Sequence, residues 1–248
     1  MIANTTAGIG ERIQALSDPS PFGVANAFAT LETEPYALLG SVLTAAECAA
    51  LIAAYDDDER YRKRVNMGAH RFGRGEYRYF ADPLPAVVGD MRERLYAALV
   101  PIANLWHERL RDATRFPDDL QTFTARSRAA GQARPTPLIL KYGAGDYNRL
   151  HRDLYGDVVF PLQATISLSA PERDFTGGEF ALVEQHPRAQ SMMHVVPLAA
   201  GDAVVFAVDR RPVPSARGYS AARTRHGVST VRSGARYALG IIFHDART

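Results

Sequence analysis

His151 and Asp153, two residues apart, close the stretch LILKYGAGDYNRLHRD, where an apolar run gives way to a loop. In an extended chain residues i and i+2 point to one side, so both side chains can address one cation. Alone, such a pair is as easily a polar strand end as a pair of ligands. A second histidine, His226, follows 75 residues on, within RTRHGVSTVRSGARYALGIIF. Two imidazoles and one carboxylate on one face of an octahedron leave neighbouring positions open, which suits non-haem Fe(II). A hydrolytic zinc centre could use the same three ligands. Ten residues beyond His226 stands Arg236, which can grip a carboxylate at two points or serve as an ordinary strand-end arginine. A zinc hydrolase has no obvious use for it.

The elements that must position these residues divide the chain in two near Pro135 and Pro137. Before that boundary helical patterns dominate. Thr44 caps AAECAALIAAY, Glu47 completes a capping box, and the helix ends in Asp56, Asp57 and Asp58. A second helical stretch runs from about Pro85 through MRERLYAALVPIANLWHERL, kinked or broken at Pro101. After Pro137 short apolar runs alternate with turn residues: PLILKYG, VVFPLQATISLSA, GEFALVEQ, SMMHVVPL, DAVVFAV, RHGVSTV and RYALGIIFH. Many short strands without intervening helices predict a sandwich or jelly roll.

The 248 residues are read as a single domain, with 1–136 a mainly helical part packing on a core of 137–248. Hydrophobic residues at 46% and charged residues at 23% are ordinary for a globular chain, and no apolar run is long enough to span a bilayer. The first residues lack the basic and apolar regions of an export signal, so a cytoplasmic location is expected. A lone Cys48 leaves any metal to His, Asp or Glu. Net charge is only +2, but seven arginines face one acid between Asp209 and Arg236. A phosphate-bearing partner or an arginine-rich genome explains that bias equally well.

YGAGDYNRLHRDLYG resembles the segment of the 2-oxoglutarate/Fe(II) oxygenase superfamily that runs from a tyrosine and glycine to His-x-Asp. FTGGEF is similar to its Gly-Gly turn, LAAGDAVVF to the strand before its distal histidine, and HGVSTVRSGARYALGIIFH to the segment of that histidine and the oxoglutarate arginine. More narrowly, RFGRGEYRYF, LPAVVGDMRERLYAALVPIANLW, GQARPTPLILKYGAGDYN, DLYGDVVFPLQ and RHGVS resemble the bacterial nucleic-acid oxygenases, a family expected to demethylate damaged DNA oxidatively. The resemblance implies an α+β chain with a double-stranded β-helix (jelly-roll) core and N-terminal supporting helices. It makes His151, Asp153 and His226 the catalytic iron ligands, Arg236 the anchor of 2-oxoglutarate, and Tyr142 a partner of the co-substrate or a core tyrosine. Fe(II), 2-oxoglutarate and O2 would be required, with ascorbate as reductant. Oxoglutarate would be decarboxylated to succinate while a substrate C–H is hydroxylated; on an N-methyl group this releases formaldehyde.

For the substrate, RVNMGAHRFGRGEYRYF interleaves Arg71, Arg74 and Arg78 with Phe72, Tyr77, Tyr79 and Phe80. Such a strip could track phosphates and stack bases of single-stranded or damaged nucleic acid, or be an amphipathic hairpin with solvated arginines and packed aromatics. The other readings are an oxygenase acting on a protein side chain or small metabolite, told apart by whether this strip lines the iron cleft, and a non-catalytic jelly-roll binding protein. His70, His107, His186, His194 and His244 lack ligand partners at fitting spacing, and Glu179 is explained by its place after the Gly-Gly turn. Nothing in the chain indicates its oligomeric state.

Overall fold

The computed structural model describes residues 24–247; the first residues, which carried the export reading, lie outside them. Thr44 takes the N-cap as its spacing to Glu47 requires. The Glu47 carboxylate accepts the Thr44 N–H at 2.8 Å and the Thr44 hydroxyl accepts the Glu47 N–H at 3.2 Å.

In chain order the N-terminal part contributes α1 (Val24–Thr33), β1 (Tyr36–Ser41), α2 (Ala45–Ala53), β2 (Tyr61–Asn66), β3 (Gly73–Arg74), β4 (Glu76–Phe80), α3 (Ala86–Arg109) and α4 (Leu120–Ala129). The remainder is strand: β5 (Gln132–Arg134), β6 (Leu138–Tyr142), β7 (Tyr147–His151), β8 (Leu162–Ser167), β9 (Phe175–Gly177), β10 (Phe180–Gln185), β11 (Met192–Val196), β12 (Asp202–Ala207), β13 (Arg210–Ser215), β14 (Gly218–Val228), β15 (Val231–Gly234), β16 (Arg236–Ile241) and β17 (Ala246–Arg247). One sheet runs β1-β12-β8-β16-β6-β4-β2 and the other β11-β10-β14-β7-β3, with β13 paired to β14. Adjacent strands within both are antiparallel. Two facing antiparallel sheets with helices stacked on one of them make an α+β double-stranded β-helix, a jelly roll.

Two findings differ from the sequence expectation. The N-terminal part also builds sheet: β1 forms one edge of the larger sheet, and β4 and β2 extend the other. Helix α3 runs unbroken through Pro101. Pro101 and Ala97, whose carbonyl it leaves without its helical partner, both face solvent, while Leu95, Tyr96, Leu99 and Val100 before it and Ile102, Ala103 and Trp106 after it are buried. Packing on both sides outweighs one lost hydrogen bond.

Strand alternation assigns the two faces of the larger sheet. Leu162, Ala164 and Ile166 of β8 and Leu239 and Ile241 of β16 join α3 in the main hydrophobic cluster. Their neighbours Gln163, Thr165, Arg236, Ala238 and Gly240 point the other way, into a cavity between the sheets. At Gly240 a Cβ would stand 2.8 Å from the Leu138 side chain, so the small residues of β16 are what keep this space open.

Candidate metal and co-substrate centre

The cavity lies where β7 and β14 face the larger sheet. His151, the last residue of β7, is the direct cross-strand partner of His226 on β14. Their rings lie 4.2 Å apart between centroids. Asp153 follows in the loop after β7 and turns back between them, with Oδ1 3.6 Å from His151 Nε2 and Oδ2 3.4 Å from His226 Nε2. Ligand atoms of the three lie within 4.8 Å of one another, and no other such group occurs among the described residues.

Each member is held in the form that coordination needs. His151 Nδ1 lies 2.8 Å from the Arg149 carbonyl, so this nitrogen carries the proton and the Nε2 lone pair faces Asp153. His226 is buried against Phe206 and Phe180, 4.7 and 5.9 Å between ring centroids. Burial, aided by the charge of His151, lowers its pKa and favours the neutral imidazole. For Asp153 burial acts upward, but the hydrogen bond with His226 and the charge that either imidazole carries when protonated hold the carboxyl well below its ordinary range. Tyr155 donates to Asp153 Oδ1 at 2.7 Å and Gln163 Nε2 to Oδ2 at 2.8 Å.

Arg236 opens β16 opposite Tyr142 of β6 and lies under the same cavity. It is 2% exposed, its Nη1 has no hydrogen-bond partner, and among the described residues it makes no ion pair. A buried, unpaired guanidinium is costly to keep, and an anionic ligand would offset that cost. Its surroundings are shaped to admit it: Gly178 sits at φ +62°, and a Cβ there would meet Arg236 Cδ at 3.0 Å. Burial pulls the Arg236 pKa down while Tyr142 opposes the shift. Tyr142 itself is pushed up by burial to about 12, with Arg236 pulling back, so its phenol remains a proton donor at neutral pH. The donor set thus fits Fe(II), and the unpaired arginine, 5.6 Å above the Tyr142 ring, fits a small dicarboxylate.

Of the two sequence readings of the arginine strip, the structure supports the hairpin with packed aromatics, so the strip does not favour a nucleic-acid substrate over a peptide or metabolite. Tyr77 lines the cavity, as does Phe72, but Arg71, Arg74 and Arg78 do not. Arg78 follows Tyr77 on β4 and so points to the opposite face of the sheet. There it is buried, bonded to Asp58 at 2.6 Å and laid over the Tyr55 and Tyr61 rings, and it cannot serve as a substrate contact. Arg74 is exposed and paired with Asp146 at 3.1 Å. Arg152, Tyr155 and Gln163 escaped the sequence reading. A glutamine inside the apolar run VVFPLQATISLSA was the one available signal, since a fully buried strand carries a polar side chain only where it has a partner. His244 is buried with Nε2 donating to the Asp153 carbonyl at 3.1 Å, a support and not a ligand. Glu179 stands apart, bonded to Ser229.

Residues 75–246 match the profile of a family, Oxygenase-NA, described as an oxygenase catalysing oxidative methylation of damaged DNA. An uncharacterized protein of Mycobacterium tuberculosis, found in strains CDC 1551 / Oshkosh and ATCC 25618 / H37Rv, is 53% identical over 167 residues, 67% of this chain and 72% of that protein. Among solved structures, the chain is similar in fold to a Pseudomonas putida prolyl-4-hydroxylase (TM-score 0.52, 16% identity, covering 91% of this chain and 100% of that one). It is also similar to an oxidoreductase of the 2OG-Fe(II) oxygenase family from Burkholderia pseudomallei (TM-score 0.52, 19% identity, 91% and 94% covered). With the profile spanning more than half of the sequence and the jelly roll presenting two histidines, one aspartate and an unpaired arginine to one cavity, the chain belongs to the nucleic-acid oxygenase family and is a 2-oxoglutarate-dependent non-haem iron dioxygenase.

Proposed function

We propose that the chain oxidatively demethylates alkylated bases of nucleic acid, with His151, Asp153 and His226 holding Fe(II) and Arg236 and Tyr142 holding 2-oxoglutarate. The observation that carries the site assignment is the buried arginine without an internal partner, in one cavity with three converging ligand atoms. The family match supports the substrate class. When bound, the metal with 2-oxoglutarate and O2 supplies oxidation of a C–H bond to an alcohol as the co-substrate becomes succinate and CO2.

The chain's own residues do the rest. Arg236 grips the far carboxylate at two points, and the Tyr142 hydroxyl donates beside it. Leu138, Leu140 and Val228 wall the cavity and exclude water from the reacting carbon. Tyr155 and Gln163 hold the Asp153 carboxylate in place from its two oxygens. On an N-methyl group the alcohol formed is a hemiaminal, whose C–N bond breaks with its electron pair left on the base nitrogen and the hydroxyl proton passed to it, releasing formaldehyde and the unmethylated base. This reading assigns the protein to bacterial DNA repair in the cytoplasm, with ascorbate keeping the iron ferrous; among the described residues no helix is long and apolar enough to cross a membrane.

The test is succinate formation by purified protein with Fe(II), ascorbate and 2-oxoglutarate, with and without an N-methylated single-stranded oligonucleotide. Turnover should rise with the oligonucleotide, release formaldehyde, and disappear in Asp153→Ala. Turnover stimulated by a peptide or metabolite and indifferent to the oligonucleotide would move the substrate assignment. Absence of any Asp153-dependent turnover would overturn the site assignment.

A further inference from the structure

Arg152, between the two candidate ligands of its own segment, lines two depressions at once. One is the cavity; the other is a shallower notch on the outer face of the smaller sheet, shared with Arg223, Arg225 and Gln185. Alternation along β14 builds the notch: Thr224 and His226 are buried, so Arg223 and Arg225 both point to solvent. In the register with β10, Arg223 stands opposite Gln185 and Arg225 opposite Val183, so no acid faces either across the ladder. The carboxylate within reach is that of Asp209, which Arg152 engages at 2.8 Å and Arg223 at 2.8 and 2.9 Å. Arg225 makes no ion pair among the described residues. Three guanidinium groups against one carboxylate leave an excess of two positive charges on this outer face, which Arg152 links to the cavity.

Another part of the cavity lining carries the complementary feature. Phe72 is 50% exposed yet lines the cavity, and its ring lies stacked on His70 at 5.3 Å with 21° between planes. The Phe72 carbonyl accepts the Arg149 N–H at 2.9 Å, which ties this aromatic pair to β7 beside His151. Leu150 and Leu154, 40% and 45% exposed, flank the ligand segment on either side. An exposed, pre-stacked aromatic in the cavity lining and an arginine notch with excess positive charge, linked to that cavity through Arg152, match a ligand that alternates planar rings with fixed negative charges.

We propose that single-stranded nucleic acid crosses the cavity mouth from Phe72 to the arginine notch, with a base next to the reacting one stacked on Phe72 and a flanking phosphodiester held by Arg223, Arg225 and Arg152. The proposal rests on the reading of nucleic acid as substrate and names the residues that would bind it. It replaces the Arg71–Arg78 strip as the phosphate-binding element. Arginine forks suit phosphodiester oxygens, and ring stacking accepts any base, so binding here would be indifferent to sequence.

The experiment is fluorescence anisotropy of a labelled, unmethylated oligothymidylate with the whole chain, as a function of salt. It compares Arg223→Glu/Arg225→Glu, Phe72→Ala and, on the opposite, helical side, Arg126→Glu. Circular dichroism and thermal melting report that each variant is folded. The double reversal should weaken binding at least tenfold and flatten the log affinity against log salt slope by about 0.7 for each phosphate no longer neutralised. Phe72→Ala should weaken it between about five- and a hundredfold with the slope kept. Arg126→Glu should bind like the wild type. Notch variants that bind and turn over methylated oligonucleotide like the wild type would overturn the notch and leave the substrate reading standing. A wild type that neither binds single strands nor responds to them in turnover, or that prefers an acidic peptide, would overturn both.

Discussion

Arg92 and Arg236 are both buried arginines, and they are treated in opposite ways. Arg92, on α3, donates to the carbonyls of Ile242 and Phe243 at 3.0 and 2.7 Å and to Asp245 Oδ1 at 2.7 Å. The same terminal strip carries His244, whose Nδ1 accepts the Phe160 N–H at 3.3 Å and whose Nε2 meets the Asp153 carbonyl. That cluster satisfies itself and fastens the helix layer to the back of the metal segment. Arg236 lies in the cavity with one nitrogen unmatched and no acid beside it. A polar group closed by its own fold is architecture, whereas one left open in a shaped cavity is a binding site.

The comparison breaks most visibly at Arg92. Arg92→Ala leaves the Asp245 charge buried alone and should cost about 3–5 kcal/mol of stability, measured by urea denaturation. A loss below about 1 kcal/mol would mean that the cluster is not closed as described. Arg236→Met should do the reverse. Stability of the ligand-free protein should hold or rise, because an unpaired charge leaves the interior, while 2-oxoglutarate binding should weaken by about 2–5 kcal/mol in calorimetry. Wild-type protein at a hundredfold excess of 2-oxoglutarate over Kd should gain about 2.7 kcal/mol, and the variant at the same concentration less than about 1 kcal/mol. Equal protection of both would remove Arg236 from the site.

Acid titration sharpens the contrast through a buried arginine that also keeps Nη1 unmatched but, unlike Arg236, has a carboxylate beside it. Glu184 accepts from Arg211, and both side chains are about 5% exposed or less. Burial raises the Glu184 pKa, but the Arg211 hydrogen bond and charge, with His186 added, bring it net below the ordinary glutamate value. The unfolded chain therefore takes up this proton first on acidification. The pair's contribution is complete above pH 4.5, the unfolded value, and is lost as pH falls through the lower folded one. Glu184→Gln should be less stable than wild type by about 1.5–3 kcal/mol at pH 7, with the gap closing below about pH 4. A gap constant with pH would show that the carboxylate charge contributes nothing.

What the sequence made legible follows the same division. Strands after Pro137 and the capping box at Thr44 were readable from local periodicity and spacing. The convergence of His151, Asp153, His226 and Arg236 on one cavity was legible only through their combined context and family resemblance, since each alone has an ordinary structural use. What failed needed register. Arg78 and Tyr77 are neighbours, and only the packing of Tyr55 and Tyr61 against one face of β4 decides which of them reaches the cavity. β13 reads RRPVPS and was missed for its two prolines, which an edge strand paired on one side to β14 tolerates. Arg152 meets Asp209 and Gln163 meets His226 from segments far apart in sequence, so no spacing rule could expose them, whereas Tyr155 reaches Asp153 from two residues away and its donor role depends on how the loop after β7 turns.

Gln163 gives the smallest and most discriminating test. Its Nε2 donates to Asp153 Oδ2 at 2.8 Å and lies 3.3 Å from His226 Nε2, while Oε1 is buried without a partner. It touches two candidate ligands yet need not bind the metal itself. Gln163→Leu keeps the volume of the side chain and removes the hydrogen bond, leaving Tyr155 as the remaining side-chain donor to Asp153 apart from His226. Partners of metal ligands typically govern affinity by ten- to a hundredfold, so Mn(II) or Co(II) binding should weaken within about that range. Removing the unmatched Oε1 should also return some stability to the metal-free protein, opposite in sign to Arg92→Ala. Weaker metal binding together with unchanged or higher apo stability would place Gln163 with Arg236, among residues held for the ligand's sake. Lower stability with metal affinity intact would place it with Arg92, as part of the architecture.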